Sequence, residues 1–275
     1  MKFFFSASLV LLLFTSFVPR ERVWVAIGDS ITYMNEHPEE TQLRITKGYM
    51  TMVTEKLPHI KYHNQGHNGW TAGRIAESFD KLGIGKADIY SVFLGTNDWW
   101  AGRELGTMAD YTTNSGNGTV YGSFRIIVDK LKSLNPNARL ILIAPLQRGD
   151  FVYLNNARNN AWGSYKPNKN GRTLASFVAA IDSIARFENA DFVDLYHKSG
   201  INLKNMVKFK WLKNPSTGQP HAFAWPAWKD VPWNPESDAY PYPPEAIDMT
   251  YDGLHPSDKG YQVISKMLVK IMKRY

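Results

Sequence analysis

The chain has 275 residues, 44% hydrophobic and 13% aromatic, which suits a packed globule and excludes disorder and collagen-like order. Its 32 Lys and Arg against 25 Asp and Glu leave a formal charge of +7; with no run of about five or six like charges, this reads as a solvated basic surface that favours anionic partners, not as a nucleic-acid-binding arm. The absence of cysteine removes disulfides, thiolate nucleophiles and sulfur-ligated metals, so stability must come from core burial.

At the amino end, Lys2 precedes an apolar run from Phe3 to Val18, closed by the charged Arg20, Glu21 and Arg22. The run is shorter than the roughly 20 residues a membrane-spanning helix needs, so residues 1–19 read as a secretory signal and the protein as secreted or periplasmic. No Ala-x-Ala-like cleavage site precedes Arg20, which leaves an uncleaved membrane anchor as the alternative and otherwise no stable membrane partner.

From Val23 onward, short Val- and Ile-rich runs alternate with segments of helical period, the pattern of a parallel sheet with crossover helices. Strands are predicted at Val23–Gly28, Ile60–Gln65, Asp88–Leu94, Arg139–Pro145 and Ala190–Leu195. Helices are predicted at Lys47–Leu57, Thr71–Leu82, Ser123–Leu134, Thr173–Phe187 and Ser257–Lys273, the last with Ser257 as N-cap and an apolar stripe of Val263, Met267, Leu268 and Ile271. The expected fold is a three-layer α/β/α domain over residues 20–275 with a five-stranded parallel sheet, similar to flavodoxin.

Three stretches break the alternation: Trp99–Gly122, Gln147–Arg172 and an insertion over residues 196–251. The insertion holds eight of the fifteen prolines and four of the nine tryptophans, which argues for an extended, locally stiff excursion and against regular helix or disorder.

Chemistry-bearing residues cluster where predicted strands end. Gly28-Asp29-Ser30 follows the first strand, where ligands bind in open parallel sheets; taken alone, Ser30 reads equally as a helix N-cap. In Asp252-Gly253-Leu254-His255, an aspartate three residues before a histidine can accept the imidazole Nδ1 proton and leave Nε2 free to accept from a serine hydroxyl. The same spacing also suits an aspartate capping a turn beside a surface histidine. Asn64 to Thr71, with Gly66 and Gly69, and Gly95-Thr96-Asn97-Asp98 could supply N–H donors to a developing oxyanion, or be ordinary turns.

Together, Gly28-Asp29-Ser30, Gly69, Gly95-Thr96-Asn97-Asp98 and Asp252-x-x-His255 resemble, in order and across the chain beyond the leader, the blocks of the SGNH/GDSL hydrolase family. The resemblance implies a serine esterase with Ser30 as nucleophile, His255 as base and then acid, and Asp252 orienting His255. It also implies an oxyanion hole made by the Ser30 and Gly69 backbone N–H groups and the Asn97 side-chain amide, with no metal or cofactor required. Ile31 replaces the leucine of the full Gly-Asp-Ser-Leu signature, an apolar exchange that leaves the chemistry intact.

His59, His63 and His67 are spaced by four, but Pro58, Gly66 and the alternating Ile60-Lys61-Tyr62 deny them a shared helical face, so no metal site is expected. There is no His-Glu-x-x-His motif, phosphate-binding loop or Gly-x-Ser-x-Gly elbow. Asp29, Trp70, Trp99 and Trp100, beside the expected catalytic loops, are candidate substrate contacts. Aromatic loops, export and basic charge favour an acylated carbohydrate as substrate, acetyl foremost, with an acidic polysaccharide among the candidates. A lipolytic or short-chain esterase or thioesterase is the enzymatic alternative, and a non-catalytic carbohydrate-binding protein the alternative of another class.

Overall fold

The computed structural model describes residues 20–275; the expected leader lies outside the described residues. Five parallel strands form the central sheet: β1 (Arg22–Gly28), β2 (Ile60–Gly66), β3 (Ile89–Phe93), β4 (Arg139–Ile143) and β5 (Asp191–Val193). Their spatial order is 2-1-3-4-5, the flavodoxin-like doubly wound arrangement. The principal helices are α1 (Tyr49–Lys56), α2 (Ala72–Ser78), α3 (Val120–Leu134), α4 (Leu174–Phe187) and α5 (Asp258–Met272).

Successive side chains of a strand point to opposite faces, and both faces here are covered. Val25, Ile27, Val92 and Leu142 join Ile75, Phe124, Ile127, Phe177 and Ile181 in one core under α2, α3 and α4. Trp24, Ala26, Ile89, Phe93 and Ile143 join Tyr49, Val53, Ile264 and Leu268 in a second core under α1 and α5. Ser91, buried in an otherwise apolar strand, accepts the Trp24 indole N–H at 2.9 Å, which offsets the cost of its burial.

The expected elements form, with shifted ends. Helix α3 begins at Val120 and not Ser123, because the Thr119 hydroxyl caps it by accepting from Gly122 N–H. Ser257 caps α5 as its sequence position predicts, accepting from Gly260 N–H. The long excursions contain structure too short to show a period. Phe151–Val152 pairs antiparallel with Asn160–Ala161, and Lys210–Lys213 with Pro220–Phe223.

Strand register decides what meets at the carboxyl edge. Gly28 lies opposite both Gly66 and Phe93, and Phe93 opposite Ile143. The loops after β1 to β4 therefore emerge at one level, which brings Ser30, Gly69, Asn97 and the segment after β4 to one rim.

Candidate active site

Ser30 opens a short helical turn, Ser30–Tyr33, directly after β1. Asp29 caps that turn, its Oδ1 accepting Ile31 N–H at 3.0 Å. Two buried tyrosines pin the turn from the α1 and α5 side. Tyr261 donates its hydroxyl to the Ile31 carbonyl at 2.8 Å, and the Tyr49 hydroxyl lies 3.0 Å from Thr32 Oγ1.

The last loop supplies the imidazole. His255 Nε2 lies 2.8 Å from Ser30 Oγ, and its Nδ1 lies 2.6 Å from Asp252 Oδ2. Facing an acceptor-only carboxylate, Nδ1 carries the ring proton, so Nε2 accepts from the serine hydroxyl. Asp252 is held in turn by Leu254 N–H at 3.0 Å and His255 N–H at 2.8 Å, both on Oδ1. Tyr251 stacks on the imidazole and Phe151 meets it edge-on, at ring-centroid distances of 5.7 and 5.3 Å. This arrangement can pass the hydroxyl proton to Nε2 while the ring keeps its orientation.

A cavity of about 450 Å³ opens beside this pair, lined by Ser30, Gly69, Asn97, Trp100, Phe151, Leu254 and His255 among others. Gly69 adopts φ +72°, a left-handed conformation that glycine enters without the steric cost of a Cβ. The Ser30 and Gly69 backbone N–H groups have no acceptor among the described residues. Asn97 Nδ2 donates to the Trp70 carbonyl at 3.0 Å, which fixes the amide with a second N–H to spare. The Gly66 N–H, by contrast, is already given to Asn64 Oδ1 at 2.9 Å.

Three expected substrate contacts lie elsewhere. Trp99 is fully buried in the first core and donates its indole N–H to the Arg172 carbonyl. It shares the helical turn Thr96–Trp100 with Trp100, and adjacent helical residues point about 100° apart, so only Trp100 reaches the cavity. The Trp70 ring is stacked on His67 with Arg74 4.6 Å above it, outside the cavity; only its carbonyl touches the site, through Asn97. Asp29 is buried beneath the rim, and burial pushes its carboxyl up to about 6 against the pull of the Ile31 hydrogen bond and His255.

Four site-building residues were given no role from the sequence, although two of them, Asp98 and Gly253, lie inside its recognised blocks. Asp98 takes Ala72 N–H on both carboxylate oxygens, at 3.1 and 2.9 Å, and so ties the Asn97 turn to the start of α2 behind Gly69. Gly253 adopts φ +88°, and a Cβ there would run into the Asp150 carbonyl oxygen; its place inside Asp-Gly-Leu-His was the available signal. Tyr261 lies in a helix whose apolar stripe gives no hint of its bond to the Ser30 turn. Arg148, from the segment after β4, lines the cavity while only 1% exposed, and no motif marks it. A second cavity of about 380 Å³, walled by Trp162, Tyr165 and Trp233, adjoins the first across Phe151 and Ala161.

A doubly wound α/β sheet with a serine, a histidine and unengaged N–H donors on its carboxyl rim defines the class as an ester hydrolase. Residues 26–263 match the GDSL-like Lipase/Acylhydrolase family, and the chain belongs to that family. A possible lipase from Chitinophaga pinensis DSM 2588 is 56% identical over 92% of this chain and 98% of its own, with a TM-score of 0.91. A protein from Lactobacillus plantarum (19% identity, 94% and 99% coverage, TM-score 0.61) and the acetyl xylan esterase AlAXEase (17%, 90% and 98%, 0.50) share the fold. No curated protein matches the sequence.

Proposed function

We propose that the protein is a serine esterase that removes an O-acyl group, acetyl foremost, from a carbohydrate through an acyl-enzyme. The observation that carries this reading is the 2.8 Å approach of His255 Nε2 to Ser30 Oγ on the wall of a cavity that also holds Gly69 and Asn97. Ser30 Oγ attacks the ester carbonyl carbon as its proton passes to Nε2, and Asp252, remaining ionised, accepts a hydrogen bond from Nδ1–H and stabilises the resulting imidazolium. The carbonyl oxygen becomes an oxyanion, received by the Ser30 and Gly69 N–H groups and the spare N–H of Asn97. Collapse breaks the carbon–alkoxy bond, and the alcohol leaves with the proton from Nε2. Water, deprotonated by His255, then attacks the acyl-enzyme and releases the acid, restoring Ser30.

A volume near 450 Å³ lies within the range of small-molecule sites and suits an acetyl group with one sugar ring. Trp100 and Trp162, in edge contact at 4.4 Å, and the adjoining cavity walled by Trp162 and Trp233 support a substrate that extends along aromatic faces. The fold-level likeness to an acetyl xylan esterase agrees with this reading, whereas the description of the Chitinophaga relative as a possible lipase favours lipid esters as the rival.

Acetate release from acetylated xylan, pectin and sialoglycans, set against fatty-acid release from phospholipid, separates the two; turnover of long-chain lipid alone would remove the carbohydrate assignment. Rapid labelling of Ser30 by a fluorophosphonate, located by peptide mass spectrometry, distinguishes a catalyst from a binding protein of the same fold.

A further inference from the structure

Arg148 is a buried cation without a counter-ion of its own among the described residues. Its Nε and Nη2 are buried and make no hydrogen bond among the described residues, and Arg148 lines the same cavity as Ser30 and His255. The carboxylates that act on it from a distance are engaged elsewhere. Asp252 holds His255, and Asp150 receives Lys210 Nζ at 2.8 Å, the Tyr165 hydroxyl at 2.7 Å and Gly163 N–H at 2.8 Å. Asp29 caps the Ser30 turn, its Oδ1 given to Ile31 N–H.

Burial lowers the Arg148 guanidinium to about 10, which still leaves it charged at neutral pH. Its fixed supports are two indoles, with the guanidinium carbon 5.6 Å from the Trp99 ring centroid and 5.7 Å from that of Trp100. A guanidinium resting on aromatic faces keeps its charge and its planar fork available to a further partner. Leaving a buried charge without hydrogen bonds is costly, and a carboxylate is the group whose two oxygens match the fork.

We infer that Arg148 receives a carboxylate of the substrate, so that the enzyme selects esters carrying an acidic group near the scissile bond, as an O-acetylated uronic acid does. This rests on the esterase reading of Ser30 and His255 and narrows its substrate class. The basic balance of the chain would draw such anions in, but the selection is local, made at one side chain in the cavity.

The test compares kcat/KM for acetate release within two matched pairs: mono-O-acetylated glucuronic acid against mono-O-acetylated glucose, and 4-acetoxybenzoate against its methyl ester. The full chain should prefer the acidic member of each pair by about tenfold or more, as a charge-assisted bidentate contact warrants. In Arg148→Met that ratio should collapse toward one, whatever the absolute rates. A wild-type ratio near one, or an unchanged ratio in Arg148→Met, overturns the inference. Should the methionine variant fail to give a cooperative thermal melt, Arg148→Lys decides. Losing the fork while keeping the charge should cut the ratio severalfold, and an unaltered ratio counts against the role. If neither sugar is turned over, the carbohydrate reading falls on its own, and the aryl pair still reports on Arg148.

Discussion

Replacing Ser30 with alanine removes the hydroxyl that faces His255 Nε2, and kcat should fall by about a thousandfold or more, with the thermal melt close to wild type. Acetate release in a single-turnover assay checks this; retention of more than about a thousandth of the rate would show that another group attacks the ester. Gly253 makes a different demand. Alanine there meets both the left-handed backbone and the Asp150 carbonyl, so Gly253→Ala should lower stability and activity together by pushing Asp252 and His255 off Ser30. A melt and a rate both unchanged would mean the turn has slack that its geometry conceals. Ser30, Asp252 and His255, which the structure brings together, were legible as candidates because hydroxyl, imidazole and carboxylate functions reside in few residue types and sat in ordered blocks. Arg148 was not legible, since an arginine in a loop differs from a surface arginine only in its surroundings.

Trp99 and Trp100 occupy one helical turn yet belong to different parts of the molecule. Trp99→Ala should cost about 3–5 kcal/mol in urea unfolding, as removal of a fully buried indole does. Trp100→Ala should cost clearly less and instead raise KM, because Trp100 lines the cavity. Equal stability losses for the two variants would contradict the assignment of one to core and the other to the cavity. The central strands were readable from Val and Ile runs because buried parallel strands are apolar on both faces, whereas the edge strand β2 carries Lys, His, Asn and Gln and showed itself only by alternation. Helix ends were less so: α3 starts at Val120 behind a Thr119 side-chain cap that its Gly122-containing first turn obscures. The hairpin of Lys210–Lys213 with Pro220–Phe223 left no alternation to read, since strands of four residues carry too few side chains to show a period.

At the scale of the whole molecule, two buried carboxylates set part of the pH dependence. Asp29 and Asp98 are both raised to about 6 from 3.8, chiefly by burial. Because the folded state binds these protons more tightly than the unfolded chain, their contribution is fully present below pH 3.8 and is lost as pH rises through about 6. Asp29→Asn keeps a cap oxygen for Ile31 N–H but carries no charge. It should therefore stabilise the protein at pH 8, by up to about 3 kcal/mol, and give little gain at pH 3.5. Chemical denaturation at the two pH values measures this, and an equal gain at both would exclude burial of charge as the cause. Asp88 works in the opposite sense: held low by Val23 N–H and by Arg22, it adds stability above pH 3.8 that is lost in acid.

What the amino-acid order determined alone was the alternation of strand and helix, hence the doubly wound class, and the few residues able to carry ester chemistry. Side-chain period and functional-group identity are local properties, present before the chain folds. What the tertiary structure alone decided was which groups share a cavity. The common level of Gly28, Gly66 and Phe93 across the sheet gathers Ser30, Gly69 and Asn97, and the strap between residues 149–152 and the Asp252 turn delivers His255 to them. Packing decided the rest: it sent Trp99 to the core and Trp100 to the cavity, and left Arg148 at the wall without a hydrogen-bond partner among the described residues. Such outcomes depend on strand register and on packing between segments far apart in the chain, and no local pattern encodes either.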